Sequence, residues 1–193
     1  MYEPKKFDHL LGVKGFSDTL LTNHFTLYEG YVKNTNKALE LLAQYAKEEK
    51  SATPEYAELK RRFGWEWNGM RLHELYFGNL TKTAKPIAEN LTIYRKVSEE
   101  WGSYEMWGKD FKSTGAMRGI GWVICAYDPI GKKIFNTWIN EHDAGHLAGA
   151  IPLVVMDVFE HAYMLDYGLN KGDYINAFWS AVDWRAVDER IPA

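Results

Sequence analysis

Between residue 17 and about residue 48, Leu20, Leu21, His24, Leu27, Tyr28 and Tyr31 recur at a spacing of three to four, and Leu39, Leu41 and Leu42 extend the same apolar face. That period predicts one long helix, with Ser17 or Asp18 able to cap its start. The polar stretch KEEKSATPEYAELKR carries Pro54 and reads as a turn into a second helix, from about 55 to 80, through NGMRLHELYFGNL. Pro86 then breaks the pattern and places a domain boundary near residue 83, giving an N-terminal helical hairpin over 1–83 and a second unit over 84–193. The second unit opens with helices near 86–100 and 103–115. GIGWVICAYD and KKIFNTWIN, with Pro129 and Gly131 between them, predict a β-hairpin. IPLVVMD predicts a third, buried strand, and helical segments follow to about residue 184. The expected fold class is α+β: a long helical hairpin, then an α/β domain with a small three-stranded antiparallel sheet.

Composition narrows the class. The chain has 193 residues, a net charge of −3 and 46% hydrophobic residues, an ordinary globular balance. Near-neutral charge argues against a nucleic-acid binder working through a basic face. The opening MYEPKKFDHLLG lacks the apolar core of a signal peptide, and Ala150–Met156 is far too short to span a bilayer. A cytoplasmic protein with no membrane partner is expected. Cys125 is the only cysteine, so any metal site rests on His and carboxylate. The 8 Trp, 12 Tyr and 9 Phe suggest dense packing, an interface or an aromatic-lined pocket.

Asp157-Val-Phe-Glu-His161 is the sharpest local motif. An acidic residue ends a strongly apolar run, and a histidine follows four positions later, on the same side if the segment turns helically. Such a pair alone is commonly a cap or a hydrogen-bonded couple, and His24 or His73 alone commonly a satisfied core residue. Together His24, His73, Asp157 and His161 put four ionisable groups in segments that want burial. That is costly without compensation, and a divalent or trivalent metal compensates it. Imidazole and carboxylate suit Fe, Mn or Zn better than Mg or Cu(I).

The segments HFTLYEGYVKNTNKAL, NGMRLHELYFGNL, GIGWV, IPLVVMDVFEHAYMLDY and DYINAFWSAVDW carry a resemblance to the iron/manganese superoxide dismutase family over nearly the whole chain. The resemblance implies one Fe or Mn ion per subunit, bound by His24, His73, Asp157 and His161. It also implies superoxide and protons as substrates and a homodimer or homotetramer. Glu160 matches the glutamate that reaches the partner's metal-bound histidine, Tyr31 the tyrosine at the mouth of the substrate channel, and Trp122 an aromatic wall. Lys171 stands where relatives have an arginine near the funnel, which keeps the charge but not the shape. The family holds metal-bound solvent with a Gln or His, from helix two or from the sheet region. Gly69 occupies the helix-two position and cannot supply it. His142, 15 residues before Asp157, is favoured as the sheet-borne residue, with His146 as its rival.

The chain also departs from the family. His24 and Tyr31 are seven residues apart where relatives have eight, so a regular helix puts both on one face without a bulge. Tyr28 and Met164 replace the usual cross-subunit His–Tyr pair, and Tyr28 is expected to fill the gap. Phe159 replaces the more common tryptophan. The expected function is dismutation of superoxide to O2 and H2O2 by a metal that alternates between trivalent and divalent states. The alternatives are a mononuclear non-haem iron oxygenase, which commonly uses two His and one carboxylate, and a metal-binding protein without turnover.

Overall fold

The computed structural model describes residues 1–192. Two long helices, α1 (Asp18–Lys47) and α2 (Pro54–Phe77), form the N-terminal hairpin. Ser17 Oγ accepts the Leu20 N–H, and Thr53 Oγ accepts the Tyr56 N–H. Each hydroxyl thereby satisfies an amide that the first turn leaves free. Pro54 is not in the preceding turn but at the first helical position, where its missing N–H is no loss. α1 is unbroken, so His24 and Tyr31 lie two turns apart on one buried face. α2 ends at Phe77, short of residue 80, because the chain turns there to pair Leu80 with Val182.

α3 (Thr92–Trp101) and α4 (Tyr104–Gly115) lead to β1 (Gly121–Asp128), β2 (Lys133–Asn140) and β3 (Ile151–Asp157). α3 begins six residues later than its apolar pattern predicts. A carboxylate from far along the chain fixes its start: Asp188 Oδ1 accepts the Ile93 N–H at 2.6 Å. The sheet is three-stranded and antiparallel, as expected, and its strand order is β2-β1-β3. Its register sets Trp122 opposite Asp157 across β1 and β3. The helices α5 (Met164–Tyr167), α6 (Lys171–Ser180) and α7 (Trp184–Asp188) complete the chain. One continuous core joins the halves, with Leu20, Leu21, Met70 and Phe77 of the hairpin packed into the same cluster as Trp122, Val154, Met156 and Phe178. Among the described residues no helix is long and apolar enough to cross a membrane.

Candidate metal centre

Four separate segments deliver the clustered side chains. His24 comes from the first third of α1, His73 from the last turn of α2, Asp157 from the end of β3, and His161 from a 3-10 turn at Glu160–Ala162. One ligand atom from each lies within 4.8 Å of all the others. Asp157 Oδ2 is the hub, 3.0 Å from His161 Nε2, 3.2 Å from His24 Nε2 and 3.6 Å from His73 Nε2. His24, His73 and Asp157 are almost fully buried, and His161 is about one-fifth exposed.

The donor chemistry suits a cation. His73 Nδ1 donates to the Gly69 carbonyl oxygen at 2.6 Å, which leaves the Nε2 lone pair facing inward. Nε2 has no hydrogen-bond partner and looks toward a carboxylate oxygen, which is also an acceptor. A buried lone pair aimed at another is costly until a positive centre lies between them. Three imidazoles and one carboxylate form the hard-to-borderline set that iron and manganese accept.

The electrostatics without metal show how tightly these groups are coupled. Burial pushes the Asp157 carboxyl up, but the nearby His161 charge and hydrogen bonds from His161 and His24 overcome it and hold the group well below the carboxylate range. His161 is raised: burial opposes its charge, but Asp157 beside it prevails. Burial lowers His24, and burial together with His24 lowers His73. Asp157 is also fixed through its other atoms. Oδ1 accepts the Phe159 N–H at 2.9 Å, and the backbone carbonyl accepts from the Tyr174 hydroxyl at 2.5 Å.

His142 is fully buried beside this cluster. Trp122 Nε1–H can only donate, and it lies 2.9 Å from His142 Nδ1. Nδ1 must therefore be the unprotonated acceptor, and neutral His142 carries its proton on Nε2. That proton is donated to the Tyr31 hydroxyl oxygen at 2.8 Å. The hydrogen of the Tyr31 hydroxyl is then free to be donated elsewhere. Tyr31 stacks on His73 with ring centroids 5.0 Å apart, and space for it exists because residue 69 is glycine. A Cβ at Gly69 would lie 2.6 Å from Tyr31 Cδ1. Burial pushes His142 down to about 4 and raises the Tyr31 hydroxyl far above its ordinary value. His146 does not reach the cluster. It is exposed, and its Nε2 meets the His142 carbonyl at 2.9 Å.

The remaining candidates lie around this core. Trp122 packs edge-on to His73 at 4.9 Å, and Phe159 stacks on His142 at 4.8 Å and on His161 at 5.2 Å. Glu160 is exposed, and among the described residues its carboxylate makes no hydrogen bond or ion pair. Lys171 Nζ donates to the Met117 carbonyl at 2.6 Å, and burial lowers its pKa against the pull of Glu160. The Tyr28 hydroxyl accepts from Lys5 N at 2.9 Å and donates to Glu74 Oε1 at 3.0 Å, and its ring centroid lies 6.4 Å from that of His73. Three residues that frame the site were not singled out in the sequence: Trp65, Tyr76 and Tyr174. The Tyr76 ring lies tilted against His24 with centroids 5.1 Å apart, and only its aromatic character in the helix that carries His73 signals it.

The lowered histidines make the metal-free chain acid-sensitive. Unfolded, His24, His73 and His142 take up protons near pH 6.5, while folded they resist until lower pH, about 4 for His142. The unfolded state therefore binds more protons below 6.5, and stability falls with pH there by up to ~1.4 kcal/mol per pH unit for each histidine. The raised His161 makes its contribution change above 6.5 and does not oppose this slope. Urea unfolding of the metal-free chain at pH 6 and pH 4.5, both below the range in which His161 acts, checks the expected loss. Equal stability at both values would contradict it.

A family model described as iron/manganese superoxide dismutases, C-terminal domain, matches residues 88–190. The chain is 34% identical over 196 residues to a superoxide dismutase (Fe) of Aquifex pyrophilus, covering 98% of this chain and 90% of that one. It is 33% identical over 169 residues to superoxide dismutase (Mn) 2 of Haloferax volcanii, covering 87% and 83%. A superoxide dismutase (Mn) of Haloarcula marismortui is 32% identical over 191 residues, covering 96% and 91%. Relatives named for iron and for manganese match about equally well, so overall similarity does not choose between the metals.

Proposed function

Because the chain belongs to the iron/manganese superoxide dismutase family, we propose that His24, His73, Asp157 and His161 hold its Fe or Mn ion and that Tyr31 and His142 manage protons beside it. The protein is an oxidoreductase that converts superoxide to O2 and H2O2. The bound ion supplies one-electron chemistry, alternating between trivalent and divalent states. The observation that carries the ligand assignment is the buried His73 Nε2, unpartnered and facing Asp157 Oδ2 within a closed set of four donors.

The chain's own groups do the rest. Reduction of superoxide to H2O2 consumes two protons, so the site must hold and renew protons without admitting bulk water. Tyr31 keeps its hydroxyl proton because burial opposes the phenolate. With its oxygen accepting from His142 Nε2–H, that proton is directed to a partner other than His142. His142 stays neutral down to about pH 4, so the donor arrangement is constant across the working range. Trp122 and Phe159 wall the space between His73, His142 and His161 with aromatic rings. Exposed Glu160 is the residue we assign to a second copy's metal-bound histidine, in a homodimer or homotetramer. Lys171 supplies positive charge that favours approach of the superoxide anion. A reducing compartment such as the cytoplasm accommodates the free thiol of Cys125.

The test is dismutation by one batch of protein, stripped and reloaded separately with Fe and with Mn, with metal content and sedimentation mass recorded alongside. Activity with one metal defines the preference, and activity with both defines a tolerant enzyme. Inactivity of both fully loaded forms would move the chain to metal binding without turnover, and a monomer would remove the role of Glu160.

A further inference from the structure

His142 lies in the loop between β2 and β3, which is otherwise exposed from Glu141 to Gly149. Trp65, on α2 eight residues before His73, closes over it. The Trp65 ring meets His142 edge-to-face with centroids 4.4 Å apart, and lies 5.6 Å from Tyr31. Trp65 Nε1–H donates to Glu141 Oε2 at 3.1 Å, so the helix grips the residue immediately before His142. Glu141 has a left-handed backbone, φ 49°, and its N–H donates to the Ile120 carbonyl at 3.1 Å. Behind the indole, the Arg62 guanidinium lies 3.9 Å from the ring centroid, and Arg62 Nε donates to the buried Glu66 at 2.7 Å.

We infer that Trp65 and Glu141 form a latch that holds His142 Nε2–H on the Tyr31 oxygen and keeps bulk water away from that bond. Both are positioning residues, since neither touches the four ligand atoms. Trp122 fixes which nitrogen of His142 bears the proton, and the latch fixes where that nitrogen points. Glu141 is a non-glycine residue in the left-handed region, an uncommon backbone state that the indole contact from α2 helps to hold. The bond between indole and carboxylate is exposed, so the latch opens more readily than the core, which makes its strength measurable. The reaction's dependence on this latch rests on the proton roles proposed above, whereas the latch itself rests on geometry alone.

The experiment is NMR of the full-length, metal-free protein, labelled with 15N at histidine. The His142 Nε2–H should be observed with Nδ1 unprotonated and exchange slowly with water. In Trp65→Phe, which keeps a ring and loses the N–H, and in Glu141→Ala, that exchange accelerates about tenfold or more. Glu141→Gln, which retains an acceptor oxygen, restores it to near the wild-type rate. Backbone protection in β1 stays unchanged in all three, which separates the latch from general loss of fold. A proton on Nδ1 in the wild type, or exchange unaltered in either Trp65→Phe or Glu141→Ala, overturns the latch. Turnover of the same variants reloaded with Mn at equal metal content then tests the second point, with an expected fall of about tenfold for a lost outer partner. The exchange result upholds or overturns the latch whichever way turnover moves.

Discussion

Replacing Asp157 with alanine is expected to remove metal retention and dismutation together, and to destabilise the metal-free chain by about 3 kcal/mol. Oδ2 lies within 3.6 Å of a ring nitrogen of each of the three imidazoles, and Oδ1 holds the Phe159 amide. Its loss strands the His161 charge, leaves His24 and the Phe159 N–H without an acceptor, and opens a void where the interior is closely packed. Asp157→Asn separates these effects. It preserves the volume and an oxygen for Phe159 but removes the negative charge, so the fold should persist while metal is lost. Metal content by mass spectrometry, dismutase assay and urea unfolding of the stripped protein read the three consequences. Retention of one metal per chain by Asp157→Ala would exclude Asp157 as a ligand.

The largest effect on stability is expected at Gly121, where alanine should cost more than about 4 kcal/mol. Its φ is +147°, a backbone conformation that L side chains rarely adopt, and a Cβ there would overlap the backbone carbonyl oxygen of Ile139. Neither atom can step aside, because Gly121 opens β1 and Ile139 belongs to the paired strand β2. The next residue is Trp122, which carries the indole that sets the His142 tautomer, so displacement of this corner also disturbs the centre. Gly149→Ala is the control. Its φ is also positive, +80°, but nothing lies within 4 Å of the added atom. A cost of about 1 kcal/mol is expected there from backbone conformation alone. Thermal unfolding compares them directly: Gly121→Ala should lower Tm by about 10 °C or more and Gly149→Ala by only a few degrees. Similar shifts for both would refute the steric account.

The elements that depend on neighbours in sequence were legible before the structure. The helical spacing of Leu20, Leu21, His24 and Tyr31, the Ser17 cap and the alternation of helices with a three-stranded sheet all have local causes. The cluster of four side chains, which we propose as the ligands, was legible because His24, His73, Asp157 and His161 are ionisable groups in segments otherwise built for burial. What escaped depends on partners far along the chain. The start of α3 is set by Asp188, 95 residues away, and no local pattern encodes that. Tyr28 occupies a position that invited a role in the channel, but its hydroxyl is claimed by Lys5 and Glu74. Trp65 reads as one aromatic among many until the fold brings Glu141, 76 residues later, to its indole nitrogen. Tyr174 likewise meets the Asp157 carbonyl only through the placement of α6.

The missing methyl group at residue 69 has a consequence for how this protein can be improved. A glycine inside a helix is less favourable than alanine by about 1 kcal/mol, because the unfolded chain has more freedom to lose. α2 tolerates that weakness one turn before His73, at the place where Tyr31 must lie flat against the histidine. The usual route to a firmer helix is closed here, since the added carbon would take the space of the tyrosine ring. Selection for heat resistance therefore gains nothing from a side chain at residue 69 while Tyr31 packs on His73, and the local weakness of α2 is tied to that packing.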